Sequence, residues 1–251
     1  MIDLRGKRAL VTGGSRGIGA ATARLLARAG ADVGIGYRSR AGEADAVVAE
    51  LRALGVRAFA EAADLGAPEG AARLFDRAAS ELGGVDLFVA SAGVWPADEV
   101  PVSALDDARW RHTMRENVDA IFYVSRLAAR ALGPGGRIVL VSSTAAQRGE
   151  AMHADYAASK GAMISFVKSL AVELAPSDVT VNCVAPGWVD TEMVAGPMGG
   201  GGRERIAANI PLGRVATPED VAGPIVFLCS ALARHVTGEV LNVNGGSVLC
   251  G

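Results

Sequence analysis

Short apolar, β-branched runs recur along the chain: RALVT at 8–12, DVGIGY at 32–37, RAFAEA at 57–62, DLFVAS at 86–91, RIVLVS at 137–142, VTVNCV at 179–184 and EVLNVN at 239–244. Between them lie longer, alanine-rich segments whose apolar residues return at helical spacing. The alternation predicts seven parallel strands, with helices near 17–29, 42–54, 68–82, 106–132, 153–174 and 218–230. Parallel crossovers are right-handed, and both sheet faces need covering. The economical solution is therefore a doubly wound α/β sheet that reverses direction near its middle and takes ligands at the strand carboxyl ends. No internal repeat or linker interrupts the pattern, so residues 1–251 read as one domain. The GPGG at 133–136 is a helix stop. The GPMGGGGR at 196–203 is expected to be a pliable loop, too glycine-rich for a helix, within a mobile substrate lid around 190–212.

Composition narrows the function classes. Lys and Arg total 25 against 27 Asp and Glu, a net charge of −2. No charge excess recommends nucleic acid or an anionic membrane, so any anion site must be local. Three cysteines (Cys183, Cys229, Cys250) without a CxxC pair suit a reducing compartment and are expected to be packed or inert. His112, His153 and His235 lack metal-ligand spacing and are expected at the surface, so no metal is expected. No stretch reaches the ~18 apolar residues of a membrane span, and the first residues carry no long apolar run. A cytoplasmic protein is the expectation.

Two stretches carry chemistry. In LVTGGSRGIGAATARLLARAG a strand runs through a glycine loop into a helix, with Thr12 and Gly13 ending the strand and Gly17 and Gly19 opening the helix. Glycine admits positive φ and close backbone approach, and a helix N-terminus favours a pyrophosphate. At the end of the second strand an acid would accept from a free ribose 2′-hydroxyl. IGYRSR has none, and Arg38, Ser39 and loop residue Arg16 suit a 2′-phosphate, which favours NADP(H) over NAD(H). Further on, DYAASKGAM places Tyr156 and Lys160 at i, i+4, on one helix face cleared by small residues. A nearby ammonium is expected to lower the phenol's pKa from about 10, which would fit it for proton transfer to a carbonyl or from an alcohol. Ser143 ends a strand thirteen residues earlier, and Asn117 is an amide inside an apolar helix.

In combination these motifs resemble the short-chain dehydrogenase/reductase family over nearly the whole chain. The resemblance implies a Rossmann-like domain in which Asn117, Ser143, Tyr156 and Lys160 form a catalytic tetrad. It also implies cofactor contacts from TGGSRGIG (Thr12, Gly13, Ser15, Arg16, Gly17, Ile18, Gly19), from Tyr37, Arg38 and Ser39, and from Asp64 and Leu65 in AADL. Ala92 and Gly93 join them, as do Tyr156, Lys160, Pro186, Gly187, Val189 and Thr191, while Asn182 is structural. In the implied roles Tyr156 transfers the proton, Ser143 hydrogen-bonds the carbonyl oxygen, and Lys160 holds the nicotinamide ribose and tunes the phenol. Asn117 positions a water. Trp95, Trp188 and Met193, with Ser143, flank the expected substrate mouth.

One departure is visible: the family's Asn-Asn-Ala-Gly after the fourth strand is Ala90, Ser91, Ala92, Gly93 here, at an expected modest cost in hydrogen bonding. The overall character is similar to 3-oxoacyl-acyl-carrier-protein reductases and to sugar and alcohol dehydrogenases. Ser177 and Asp178 stand where a carrier-docking arginine is common, so a small or medium carbonyl or alcohol is favoured and an acyl thioester is the alternative. A non-catalytic nucleotide-binding protein is the outside reading. The family's habit, with helices 106–132 and 156–174 apolar, implies a homotetramer.

Overall fold

The first strand turns into a glycine loop at the centre of the sheet, and the rest of the chain winds outward from it in two directions. The computed structural model describes residues 2–249. Its strands are β1 (Arg8–Thr12), β2 (Asp32–Tyr37), β3 (Ala58–Ala62), β4 (Leu87–Ala90), β5 (Arg137–Val141), β6 (Thr180–Pro186) and β7 (Val240–Val243). All pair in parallel, in the order β3-β2-β1-β4-β5-β6-β7. The reversal falls between β1 and β4, so their carboxyl ends flank the crevice where such sheets take ligands.

Every residue of β4, β5 and β6 is buried, as strands covered on both faces must be. Side chains alternate between two cores. Leu87, Val89, Val139 and Val141 join Ala9 and Val11 on one face, while Phe88, Ala90, Ile138 and Leu140 join Leu10 on the other. The first core is closed by α1 (Gly17–Arg28), α2 (Ala41–Ala53) and α10 (Pro218–Leu228), the second by α3 (Pro68–Leu82), α5 (Ala120–Ala131) and α7 (Ala154–Leu174). Each fully buried aliphatic or aromatic side chain contributes about 1.5–3 kcal/mol. Asn182 in β6 is structural: fully buried, it donates to Val236 O at 2.8 Å and accepts from Glu239 N at 3.1 Å.

Three expectations need correction. The helix expected over 106–132 is interrupted. Helix α4 (Asp107–Met114) passes into a π-helical turn, Arg115–Asp119, before α5; such turns carry one residue more per hydrogen-bonded ring and re-aim the side chains within them. The glycine-rich stretch at 196–203 is largely helical, in α8 (Ala195–Met198) and α9 (Gly202–Ala208). Only Gly199–Gly201 link the two, because Gly200 and Gly201 absorb positive φ values of 55° and 77°. A short α6 (Ala145–Arg148) also follows β5. His153 is buried, whereas His112 and His235 are exposed. Cys183 and Cys229 are buried free thiols, and Cys250 lies outside the described residues. Among these residues no helix is long and apolar enough to cross a membrane.

Candidate active site

At the β1–β4 reversal, the Thr12 hydroxyl accepts from the backbone N–H groups of Ser91 and Ala92, both at 3.1 Å. That clamp draws the glycine loop against the end of β4. A Cβ on Gly13 would stand 2.9 Å from the Ala92 backbone, and one on Gly19 only 2.2 Å from the Gly13 carbonyl oxygen. Gly17, the first residue of α1, has φ of 54°. The first turn of α1 has no side-chain cap and no acid, leaving its positive end open to an anion. These features fit a dinucleotide pyrophosphate: a cradle that side chains would fill, at a helix N-terminus. Ser15 is buried in the loop, and Ile18 faces the adjoining cleft.

The cleft at the strand ends brings together Ile18, Gly93, Ser143, Tyr156, Lys160, Pro186, Gly187, Val189 and Thr191, along with Trp95, Trp188 and Met193. Candidates from five separate stretches of sequence therefore share one space. The Lys160 ammonium donates to Val141 O at 2.9 Å and lies 5.8 Å from the centre of the Tyr156 ring. The Ser143 hydroxyl accepts from Ala145 N at 3.1 Å. Asn117 stands behind the cleft on the π-helical turn, fully buried. Its side chain accepts from Val94 N (2.8 Å) and donates to Val94 O (2.9 Å) and Ser159 Oγ (3.0 Å). A Cβ on Gly93 would come within 3.0 Å of Asn117 Oδ1 and 3.3 Å of Lys160 Nζ. Glycine there lets both polar groups approach the cleft floor.

The electrostatics reverse one expectation. The Tyr156 phenol is pushed up to about 12, by burial first; Ser143 pulls it down and the Glu150 charge pushes it further up. Lys160 is pushed down to about 8 by burial. Desolvation disfavours the charged form of each group, and with the ammonium engaged by a carbonyl it outweighs their mutual attraction. The phenol is therefore held protonated, and the lysine is the group that titrates nearer neutrality.

The adenosine end differs from expectation in another way. Tyr37 closes β2, and Arg38 and Ser39 are exposed just beyond it. Arg38 is ion-paired with buried Glu116, Arg115 with Asp64 and Glu116, and Arg16 with Glu192; Arg40 reaches Glu192 at 3.2 Å and Glu43 at 2.8 Å. Asp64 also accepts from Gly66 N at 3.1 Å, and Arg115 holds its carboxyl below the usual range. Leu65, half-buried, packs on the second core. The arginines read as open anion receptors are thus already partnered by carboxylates from distant segments.

On the substrate side, Trp95 stacks on His153 (4.7 Å between centroids, 21°) and meets Trp188 edge-on (6.2 Å, 76°). Stacking explains why His153 is buried rather than at the surface. Arg148 and Glu150 also line the cleft, and sequence reasoning missed both. The one available signal was an acid and a base in the short QRGEAMHAD connection just before Tyr156.

The chain matches the family model described as enoyl-(acyl carrier protein) reductase over residues 13–247. It is 42% identical to cis-4-hydroxycyclohexanecarboxylate dehydrogenase of Sinomonas cyclohexanicum, covering 95% of each chain. It is 39% identical to the 3-oxoacyl-acyl-carrier-protein reductase of Aquifex aeolicus, covering 98% of each. Among solved structures, a short-chain dehydrogenase from Burkholderia cenocepacia in complex with NADP superposes with a TM-score of 0.92 at 41% identity, covering 97% of this chain and 98% of that one.

Proposed function

The chain belongs to the short-chain dehydrogenase/reductase family, an oxidoreductase acting on alcohols and carbonyls, and from that premise we propose that it is NADP(H)-dependent, acts on a small or medium carbonyl or alcohol, and uses Asn117, Ser143, Tyr156 and Lys160. The observation that carries the reading is the meeting of Ser143, Tyr156 and Lys160 in one cleft with the Pro186–Thr191 strip and the glycine-loop residue Ile18. When bound, the nicotinamide supplies or accepts the hydride.

The remaining steps belong to the chain's own residues. The glycine loop and the N-terminus of α1 take the pyrophosphate, Gly93 and Lys160 the nicotinamide ribose, and Pro186, Gly187, Val189 and Thr191 the carboxamide side. Ser143 donates to the substrate oxygen. Tyr156, held as a neutral phenol, donates its proton to that oxygen as negative charge develops on it, which is the role that reduction of a carbonyl requires. Lys160, at about 8, exchanges protons near neutrality and restores the phenol, while Asn117 fixes the floor beside it and positions a relaying water. The acid form of Tyr156 favours carbonyl reduction over alcohol oxidation at neutral pH. Oxidation needs the phenolate, so its rate rises with pH.

Tyr156→Phe tests the assignment. Cofactor affinity, read by fluorescence titration with NADPH, stays near wild type while turnover falls by roughly 10²–10⁴-fold, the usual worth of a positioned general acid. Near-normal turnover removes Tyr156 from this role. The preference for NADP(H) rests on the absence of an acid after β2 and on Arg16 and Arg38. A reductase of acyl-carrier thioesters is the second reading, favoured by the Aquifex relative. Retention of all four tetrad residue types argues against a non-catalytic nucleotide-binding role. Residues 190–212 serve as the substrate lid, the assembly is a homotetramer, and the setting is cytoplasmic. A scattering mass near 25.6 kDa would contradict the tetramer.

A further inference from the structure

The wall of the cleft opposite the glycine loop is built differently from the rest. It combines two indole rings, Trp95 and Trp188, with one carboxylate, Glu150. The carboxylate is held there deliberately by the local chain. Glu150 opens a turn closed by His153 N donating to Glu150 O at 3.2 Å, and Met152 within it takes a positive φ of 67°. A methionine held in the left-handed region is strained and persists only where the surroundings dictate it. Here Val100 N donates to Met152 O at 3.0 Å and ties the turn to the segment after β4, which also carries Trp95. The Glu150 side chain is only 16% exposed, and the imidazole nitrogen His153 Nδ1 is 3.9 Å away, too far for a hydrogen bond.

The other groups acting on Glu150 are the Trp95 indole N–H, the Arg148 and Asp155 charges, and burial, which is the largest and raises its pKa. A carboxylate offers about four acceptor sites, and this one has a single indole donor turned toward it. Glu150 and Tyr156 line the same cleft, which puts the carboxylate on the wall of the space that holds the reacting position.

We infer that Glu150 is the specificity-determining residue of the substrate pocket and that it accepts a hydrogen bond from a substrate hydroxyl next to the reacting carbon, selecting a neutral hydroxylated ring such as a cyclic polyol or a sugar in ring form. Indole faces pack against the C–H edges of such rings, and half-buried carboxylates are satisfied by ring hydroxyls. An unsubstituted acyl chain would leave Glu150 unpartnered, and an anionic group beside it would meet like charge. His153, stacked beneath Trp95, is a positioning residue for this wall.

The inference rests on the oxidoreductase reading, and the test separates the two. NADPH-dependent reduction of 2-hydroxycyclohexanone and cyclohexanone is compared for the wild type, Glu150→Ala and Glu150→Gln. The wild type is expected to favour the hydroxyketone by at least about tenfold in kcat/KM, since a site built to hydrogen-bond a hydroxyl rejects the analogue lacking it. Glu150→Ala brings that ratio to near one through a raised KM for the hydroxyketone, with an unchanged melting temperature and NADPH affinity serving as the folding control. Glu150→Gln, which still presents an acceptor oxygen, keeps an intermediate ratio. A wild-type ratio near one, or an equal loss on both ketones in Glu150→Ala, overturns the inference alone. Failure to reduce either ketone with either cofactor overturns the oxidoreductase reading and this inference with it.

Discussion

The two ends of the crevice present polar groups in opposite ways. At the catalytic end Tyr156, Lys160 and Asn117 are buried in a packed wall, at 9%, 5% and 0% exposure, and burial sets their protonation. At the adenosine end Arg16, Arg38 and Arg40 are about half exposed and each is neutralised by a carboxylate. The inner end is shielded from water; the outer end is solvated. On the proposed function, the proton donor stands where water is excluded, whereas a ribose 2′-phosphate would be met by arginines that must first part from Glu116 or Glu192.

The most severe disruption is expected in the glycine loop between the two ends. Gly19→Ala would set a methyl 2.2 Å from the Gly13 carbonyl oxygen, a backbone clash that no rotamer relieves. A loss of several kcal/mol in stability, or of NADPH binding altogether, is expected by thermal melt and fluorescence titration. Native stability with intact binding would show that the loop is not packed as described.

The inner end is sharpened by pH. Lys160 titrates near 8 in the folded protein against 10.5 unfolded, so between those values the unfolded chain binds more protons and stability rises with pH. Below pH 8 the whole cost, on the order of 3 kcal/mol, is present. Tyr156, raised to about 12 from 10.0, acts oppositely: above pH 10 the unfolded chain ionises first and stability falls. Denaturant titrations from pH 7 to 10 should show a climb in the wild type that Lys160→Met lacks. Parallel curves would mean that the ammonium is not buried at a cost.

Smaller effects belong to the rim. Arg38→Asp should lower the ratio of kcat/KM for NADPH over NADH about tenfold or more, by loss of a phosphate partner and gain of a like charge. A wild type that prefers NADH would overturn the cofactor assignment. Glu192→Gln frees Arg16, leaves Arg40 paired with Glu43 alone, and should tighten NADPH binding a few-fold at low salt, with little change for NADH. Because exposed pairs contribute about 0–1 kcal/mol, the gain should fade as salt rises.

Much of the site was legible in the chain because it is local. The glycine loop is a strand-to-helix turn, YxxxK is one helical turn, and Ser143 follows directly on a strand, so each could be read within a window of a few residues. Asn117 was legible as a residue but not in its setting: the π-helical turn that buries it arises where α4 packs on α7 and the chain turns to lay α5 against α3. Glu150 and His153 were missed or misread because their significance comes from Trp95, more than 50 residues away in sequence, which stacks on His153 and shares the cleft wall with Glu150. The helical turns of α8 and α9 were hidden by glycine content. Gly202 sits where a Cβ would strike Pro197 O at 1.9 Å, a close crossing that composition does not reveal.

By itself the sequence determined the strand and helix alternation, the place of the sheet reversal and the residue types facing the crevice, since these follow from periodicity and from backbone demands felt between near neighbours. Only the tertiary structure decided the protonation of Tyr156 and Lys160, the carboxylates that occupy Arg16 and Arg38, and the acid in the wall beside Trp95. Those depend on how much water is excluded and on which distant charges arrive within a few ångströms, and both are set when the layers pack.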